Sequence, residues 1–500
     1  MSLLTVAAKA YASYTALKVR KRNLNSAFCQ QKIFRQLIET GSSTSFGKEH
    51  GMNSLMSYED FKENIPVRDY EGIKKYVDRI ISEESDVLWK GKPLYLSKTS
   101  GTTSGIKYIP ITKVSLPNHI GTTREALAMY VHETGRTDFL RGKLIFLSGS
   151  PELDFKDGIP TGRLSGIVNH HIPGYLKKNQ LPTYETNCIE DWEEKIEKIC
   201  DETAGQNMSL ISGIPPWVQM YFDKIIQRTG KKVKDVFPDF SLFVYGGVNY
   251  EPYRSRLEET IGKKVDSLEL YPASEGFIAY QDSQTRNDLL LNTDSGIFYE
   301  FIPMSEYFDP NAKRIPLSEV EAGINYAIIL SSNAGLWAYS LGDTVKFTSV
   351  NPYRILITGR ISQFISAFGE HVIAEEVEHT LQKVISEFHA DVVEFTVAPQ
   401  VNPPTGELPY HEWFIEFSRM PDNMEKFSFA LDVHLQQKNI YYKDLVKGNI
   451  IQPLKIHSLE KDSFIRFMKS NGKLGGQNKV PRLSNDRKIA DGLTKYCLIQ

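Results

Sequence analysis

Apolar positions recur at helical spacing from the start of the chain. Leu4, Ala7, Ala8, Tyr11, Tyr14 and Leu17 lead on towards Phe34 and Leu37, so residues 3–40 read as a helix pair closed by Gly41. Tyr58 to Ile80 mixes charged and apolar residues around Pro66 and reads as two short helices, and Leu116 to His132 as one longer helix. Short apolar runs then alternate with helical patterns. KLIFL (143–147), Met208 to Ile211, Ser241 to Tyr245 and Ser267 to Tyr271 read as strands, separated by helices at 191–201, 217–229 and 253–261. That alternation predicts an α/β fold with layered, mostly parallel sheets. The segment from Ser148 to Leu181 reads as loop-rich. From Phe298 onward strands dominate as far as Ile355–Ile357.

The pattern changes after Gly359-Arg360. Helices at 374–387 and 427–438 and strands at 391–399, 412–417 and 454–458 form a compact α+β unit. The expected division is an N-terminal domain over 1–358, a hinge at 359–363 and a C-terminal domain over 364–500. A chain of 500 residues exceeds what one core usually organises, so two domains fit its length.

Charge and cysteine content narrow the functional classes. A formal charge of −2 gives no basic face for nucleic acid. No apolar run reaches the roughly 18 residues of a membrane span. The four cysteines are scattered with no CxxC, which argues against a zinc site or a disulfide framework and suits a reducing cytoplasm. The first acidic residue is Glu39, preceded by seven Lys/Arg, a bias that organellar presequences share. The helical periodicity favours a packed helix pair instead.

Candidate chemistry begins at LSKTSGTTSGIKYIPIT (96–112). Glycines and hydroxyls between two strand ends can present backbone N–H groups and side-chain oxygens to a polyphosphate, with Lys107 adding a charge. The spacing is not that of a Walker loop, which needs four residues between its glycines and a following helix. A merely polar hairpin remains the alternative. LFVYGGVNY (242–250) places two glycines at the end of a buried strand, where an open α/β sheet binds ligands. YPASEG (271–276) ends the next strand with a ring at Tyr271, a hydroxyl at Ser274 and a carboxylate at Glu275 suited to Mg²⁺. YSLGD (339–343), followed by Thr358-Gly359-Arg360, offers Asp343 as an acceptor for ribose hydroxyls. Each of these segments has an ordinary structural alternative as a turn or a solvated surface charge. His170-His171, without a third ligand, makes a poor metal site. No GxSxG elbow is present.

Taken in order, TSGTTSGIK, YGGVNYEPYR, YPASEG and LGD…TGR resemble the motifs of the adenylate-forming superfamily. Within it the chain is most similar to the Gretchen Hagen family of auxin-responsive acyl acid amido synthetases. SYEDFKENIPVRDYEGIKKYV near the start, and YYKDLVKGNIIQPLKI and GGQNKVPRL near the end, extend that resemblance over nearly the whole chain. There are departures. Lys107 falls one position early, Ser340-Leu341 stands where plant members commonly have Arg-x, and Pro272-Ala273 replace small or hydroxyl residues.

The resemblance implies a large N-terminal domain, a small mobile C-terminal domain and two half-reactions. ATP and a carboxylic acid give an acyl-adenylate and pyrophosphate, and the amine of an amino acid then displaces AMP. It further implies that Ser100, Thr102, Thr103 and Lys107 cradle phosphates and that Glu275 holds Mg²⁺. Gly247 and Tyr271 would border the adenine beside Ser274, Asp343 would bind ribose, Arg360 would bind the nucleotide and begin the hinge, and Lys479, catalytic together with Lys107, would reach the phosphate. A monomeric cytoplasmic enzyme is expected. An acyl-CoA ligase sharing the first step and a non-catalytic nucleotide-binding homologue remain the alternatives, and no acid or amine is specified.

Overall fold

The computed structural model describes the chain except residues 1, 2, 101–105, 173, 249, 308, 310, 362, 363, 366, 369, 371, 404–406, 473, 475–478, 485, 486, 499 and 500. It divides into two compact units, Met1–Val248 with Gly262–Leu356, and Asn249–Ile261 with Ile357–Gln500.

In the first unit the N-terminal helices Leu3–Leu24 and Ser26–Gly41 form as the periodicity predicts. They are part of the fold. Arg22 pairs with Glu125 at 2.8 Å, and the Gln30 amide bonds Thr293 O, Ile297 O and Tyr299 N at 2.9–3.0 Å. Short helices follow at Tyr58–Asn64, started by a Ser57/Asp60 capping box, and at Tyr70–Ile81, capped by Asp69.

A 12-stranded sheet fills the unit. From one edge it runs Gln180–Leu181, Lys143–Phe146, Met208–Ser212, Leu242–Gly246 and Asp266–Ala273, all mutually parallel. Beyond Asp266–Ala273 the pairings that follow, from Gly276–Tyr280 through Leu289–Leu291 to Tyr353–Arg360, are antiparallel. The far edge, formed by Tyr339–Val350, Asn325–Ser332, Ile297–Pro303 and Ile315–Pro316, is antiparallel too. The α/β class stands, but the expectation of a mostly parallel sheet holds only for the half whose strands alternate with helices. Strands that follow one another through short turns have no crossover helix and must run antiparallel.

The segment 148–181 is also more ordered than a loop-rich reading suggests. Asp154–Lys156 and Ile159–Gly162 form a hairpin whose turn residues Asp157 and Gly158 both have positive φ, +44° and +81°. Asp-Gly is the pair such a turn favours. Ile159–Gly162 then runs parallel to Tyr95–Ser100, whose other neighbour is Ile106–Ile111.

The second unit is built on Asp391–Gln400, Tyr410–Arg419 and Lys455–Leu459, with helices Ala374–Phe388 and Met424–Lys438 sharing a core with Trp413, Phe395 and Ile415. The helix Glu251–Ile261 groups here, whereas the sequence places it in the N-terminal domain. The buried Tyr253 is the reason: its hydroxyl donates to Glu394 at 3.1 Å and accepts from Arg482, which also pairs with Glu378 and Glu394.

Candidate active site

Two antiparallel strands bring the central residues into place. Asp266–Ala273 turns back into Gly276–Tyr280 through Ser274 and Glu275 alone, with Ala273 paired to Gly276. A two-residue turn fixes the direction of both side chains relative to the strands. Tyr271, buried and two residues before the turn's flank, donates its hydroxyl to Asp343 Oδ2 at 2.6 Å.

Asp343 is presented by an irregularity in a strand rather than by a hairpin turn. Tyr339–Val350 pairs with Asn325–Ser332 as Ser340↔Ile329 and then Thr344↔Ala327, so Leu341, Gly342 and Asp343 stand opposite Ile328 alone. Gly342 adopts φ +83°, a conformation costly for a residue with a Cβ. A bulge of this kind re-aims the side chain that follows it, here the carboxylate that meets Tyr271.

Glu275 and Ser274 are each tied to a different neighbour. Tyr339 donates to Glu275 Oε1 at 3.4 Å, and burial first, then the Glu275 charge, pushes the Tyr339 phenol well above its ordinary range. Ser274 Oγ lies 2.9 Å from Ser97 Oγ, which is fully buried in Tyr95–Ser100. That strand leads into the hydroxyl- and glycine-rich loop, so one hydrogen bond links the YPASEG turn to the phosphate-loop candidate.

The remaining residues of the expected site sit as follows. Ser100 ends its strand, paired with Ile106, and Lys107 follows with Nζ 5.7 Å from the centre of the Tyr70 ring. Thr102 and Thr103 lie outside the described residues. Gly247 is exposed, with φ +82°, beyond the end of Leu242–Gly246. The glycine before it has a packing reason, because a Cβ on Gly246 would sit 2.4 Å from Leu270 O of the adjacent strand. Tyr271, Ser274, Glu275 and Asp343 are therefore brought together in the first unit. Arg360 and Lys479 belong to the second unit, both exposed.

Among the described residues no group of three or more His, Cys, Asp or Glu could hold a metal ion. The one carboxylate Glu275 fits Mg²⁺ in the way phosphate-transfer sites do, where substrate phosphates and water complete the shell. Sequence reasoning missed Ser97 and Tyr339 as partners of the motif. Neither carries a local signal, since only the pairing of distant strands sets them beside residues 274 and 275.

Comparison with known proteins places the chain in a family. The chain matches the GH3 family N-terminal domain over residues 18–178, the central domain over 290–360 and the C-terminal domain over 373–488. Among curated relatives, jasmonoyl–L-amino acid synthetase JAR4 of Nicotiana attenuata is 22% identical over 73% of this chain and 75% of its own length. Jasmonoyl–L-amino acid synthetase GH3.5 of rice, Oryza sativa subsp. japonica, is 22% identical over 92% of this chain and 93% of its own. Among solved structures, the AtGH3.15 acyl acid amido synthetase in complex with 2,4-DB superposes with a TM-score of 0.80 at 16% identity, covering 98% of this chain and 97% of that one. A 2-hydroxyisobutyryl-CoA ligase in its postadenylation state superposes with a TM-score of 0.60 at 14% identity, covering 95% and 91%.

The fold is that of the adenylate-forming enzymes. Within that class the chain belongs to the GH3 family, whose members named above are amido synthetases and so ligases.

Proposed function

We propose that this chain is an ATP-dependent acyl acid amido synthetase. A carboxylate oxygen of the acid attacks the α-phosphorus of ATP, the bond to the β-phosphate oxygen breaks, and pyrophosphate leaves. The amine of an amino acid then attacks the acyl carbonyl, AMP leaves with the former carboxylate oxygen, and the amine loses a proton as the amide forms. The observation that supports this most is the Tyr271–Asp343 hydrogen bond beside the Ser274–Glu275 turn, joined by Ser97 to the strand that enters the Ser/Thr/Gly loop.

Both steps move large negative charge, so fixed donors and cations contribute more than a strong base. In this reading Ser100, Thr102, Thr103 and Lys107 hold the phosphates. Asp343 accepts ribose hydroxyls, its carboxylate held by the Tyr271 hydrogen bond. Tyr271 thereby fixes the carboxylate's orientation while its ring, with Gly247 and Ser274, borders the base. Glu275 would hold Mg²⁺, which when bound neutralises phosphate charge. The boundary at 358, the hinge at 359–363 with Arg360, and a phosphate-directed role for Lys479 are part of the same proposal. So are a monomeric state and a cytoplasmic location. No helix among the described residues is long and apolar enough to cross a membrane.

The test is acid-dependent pyrophosphate release from MgATP by the full chain and by Asp343→Ala and Glu275→Gln. Loss of at least about a hundredfold in kcat/KM is expected for each, on the scale of removing a charged contact to the transition state. Variants as fast as the wild type would overturn the assignment of these two residues.

A further inference from the structure

Away from the motif residues, the described chain holds a cluster of polar groups with buried atoms that have no hydrogen-bond partner. Arg163 follows the strand Ile159–Gly162, and its guanidinium lies against Gly149: a Cβ there would be 2.7 Å from Arg163 Cδ and 3.1 Å from Nη1. Nη1 is inaccessible to water and has no hydrogen-bond partner, and among the described residues no carboxylate forms an ion pair with this arginine. Burial lowers its pKa, opposed by the charge of Glu190. An arginine nitrogen buried without an acceptor is costly, and such a group calls for a ligand that completes it.

A second cation lies close by. Lys195 is 2% exposed, and its ammonium donates to Ser148 O at 3.0 Å and Asn187 O at 2.6 Å. Burial, reinforced by Arg163 and opposed by Cys188, pushes that amine down to about 8. Asn187 is 1% exposed, and neither its Oδ1 nor its Nδ2 has a partner. Arg163 lies over Gly149 and Lys195 bonds the adjoining Ser148 O, so two cationic side chains meet the same stretch of chain, and the backbone carbonyl of Asn187 completes the Lys195 ammonium.

The position points to substrate. Ser148 and Gly149 extend the strand Lys143–Phe146 at its carboxyl end, where Leu147 N bonds Ser212 O at 2.8 Å and the next strand but one ends in Gly246. In an open α/β sheet that edge is where ligands bind. On the other side, Gly162 pairs with Ser97, the residue bonded to Ser274. Arg163 directly follows Gly162, and Lys98, which follows Ser97, is committed to Asp154.

We infer that Arg163, with the ammonium of Lys195 held close by on Ser148 O, binds a substrate carboxylate. The site rests on the synthetase reading for its role, since that reaction uses two carboxylate-bearing substrates, the acid to be activated and the amino acid acceptor. A guanidinium offers paired N–H donors that match the two oxygens of a carboxylate. In the proposed reaction the ATP phosphates are assigned to other residues, Lys107 among them.

The test compares the full-length wild type with Arg163→Gln and Arg163→Lys in the two half-reactions. Pyrophosphate release without amine reads the KM for the acid, and amide formation at saturating acid reads the KM for the amino acid. Arg163→Gln should raise one of these by about tenfold or more, the amount expected for one charge-assisted contact, with KM for ATP within about twofold and partial recovery in Arg163→Lys. Which KM rises identifies the source of the carboxylate. Unchanged values for both, or a change confined to ATP, would overturn the site. A second measurement is independent of turnover: calorimetric titration of both proteins with benzoate, hexanoate and glutamate in the absence of ATP. Binding by the wild type that Arg163→Gln loses supports the site even if no acid is turned over, which would sink the synthetase reading alone. Equal binding by both proteins, or none by the wild type, counts against the site whatever the enzyme assay gives.

Discussion

At the residue scale, the Tyr271 hydroxyl joins two segments that lie 72 positions apart in the chain. Removing it leaves a mostly buried carboxylate short of a donor, a loss of about 1.5–3 kcal/mol for a hydrogen bond to a charged group. Tyr271→Phe should therefore raise the KM for ATP by about tenfold, each tenfold corresponding to about 1.4 kcal/mol, while the KM for the acid changes little. Steady-state kinetics with each substrate varied in turn gives the comparison; an unaltered KM for ATP would separate this bond from nucleotide binding. A second residue responds to pH. His119 is buried without a partner for Nδ1, and desolvation lowers its pKa from 6.5 to about 4. A histidine depressed in this way stays neutral in the fold and charges first in the unfolded chain. Its contribution to stability is complete above pH 6.5 and is lost as pH falls towards 4, by about 2 kcal/mol at pH 5. His119→Gln should lose less stability than the wild type between pH 7.5 and pH 5 in urea denaturation. Parallel losses in the two proteins would show that His119 does not titrate as its burial requires.

At the element scale, the helices and strands of the site were legible because their local patterns are strong. The strand 242–246 with its glycines, the 266–273 strand and the helices at 116–134 and 215–229 follow directly from apolar periodicity and flanking Pro or Gly. The bulge that presents Asp343 was not legible, because its register depends on a partner strand whose pairing no local pattern encodes. The antiparallel half of the large sheet and the contacts of Ser97 and Tyr339 were hidden for the same reason. The short hairpin at 154–162 is different: its Asp-Gly turn is a local signal, but the strands on either side are too short to show a period-two pattern. Gln30 shows how an ordinary surface-type residue acquires a structural task. Its amide satisfies three backbone groups on the 293–299 segment, so Gln30→Ala should lower the free energy of unfolding by about 2–4 kcal/mol, as expected when buried backbone polar groups lose their partners. Thermal denaturation followed by circular dichroism checks this, and an unchanged midpoint would mean that water replaces the amide.

At the scale of the whole molecule, the resemblance over both ends of the chain and the family match over 18–178, 290–360 and 373–488 describe one protein family. The fold alone does not choose between amide and thioester products, since a CoA ligase shares it at a TM-score of 0.60. The choice rests on the second half-reaction. The most direct measurement is AMP formation from MgATP and a panel of aryl and alkyl acids, with pooled amino acids or with CoA, followed by mass analysis of the product. AMP release stimulated by amino acids is expected, together with an amide of the acid and one amino acid. Stimulation by CoA alone, with a thioester as product, would contradict it.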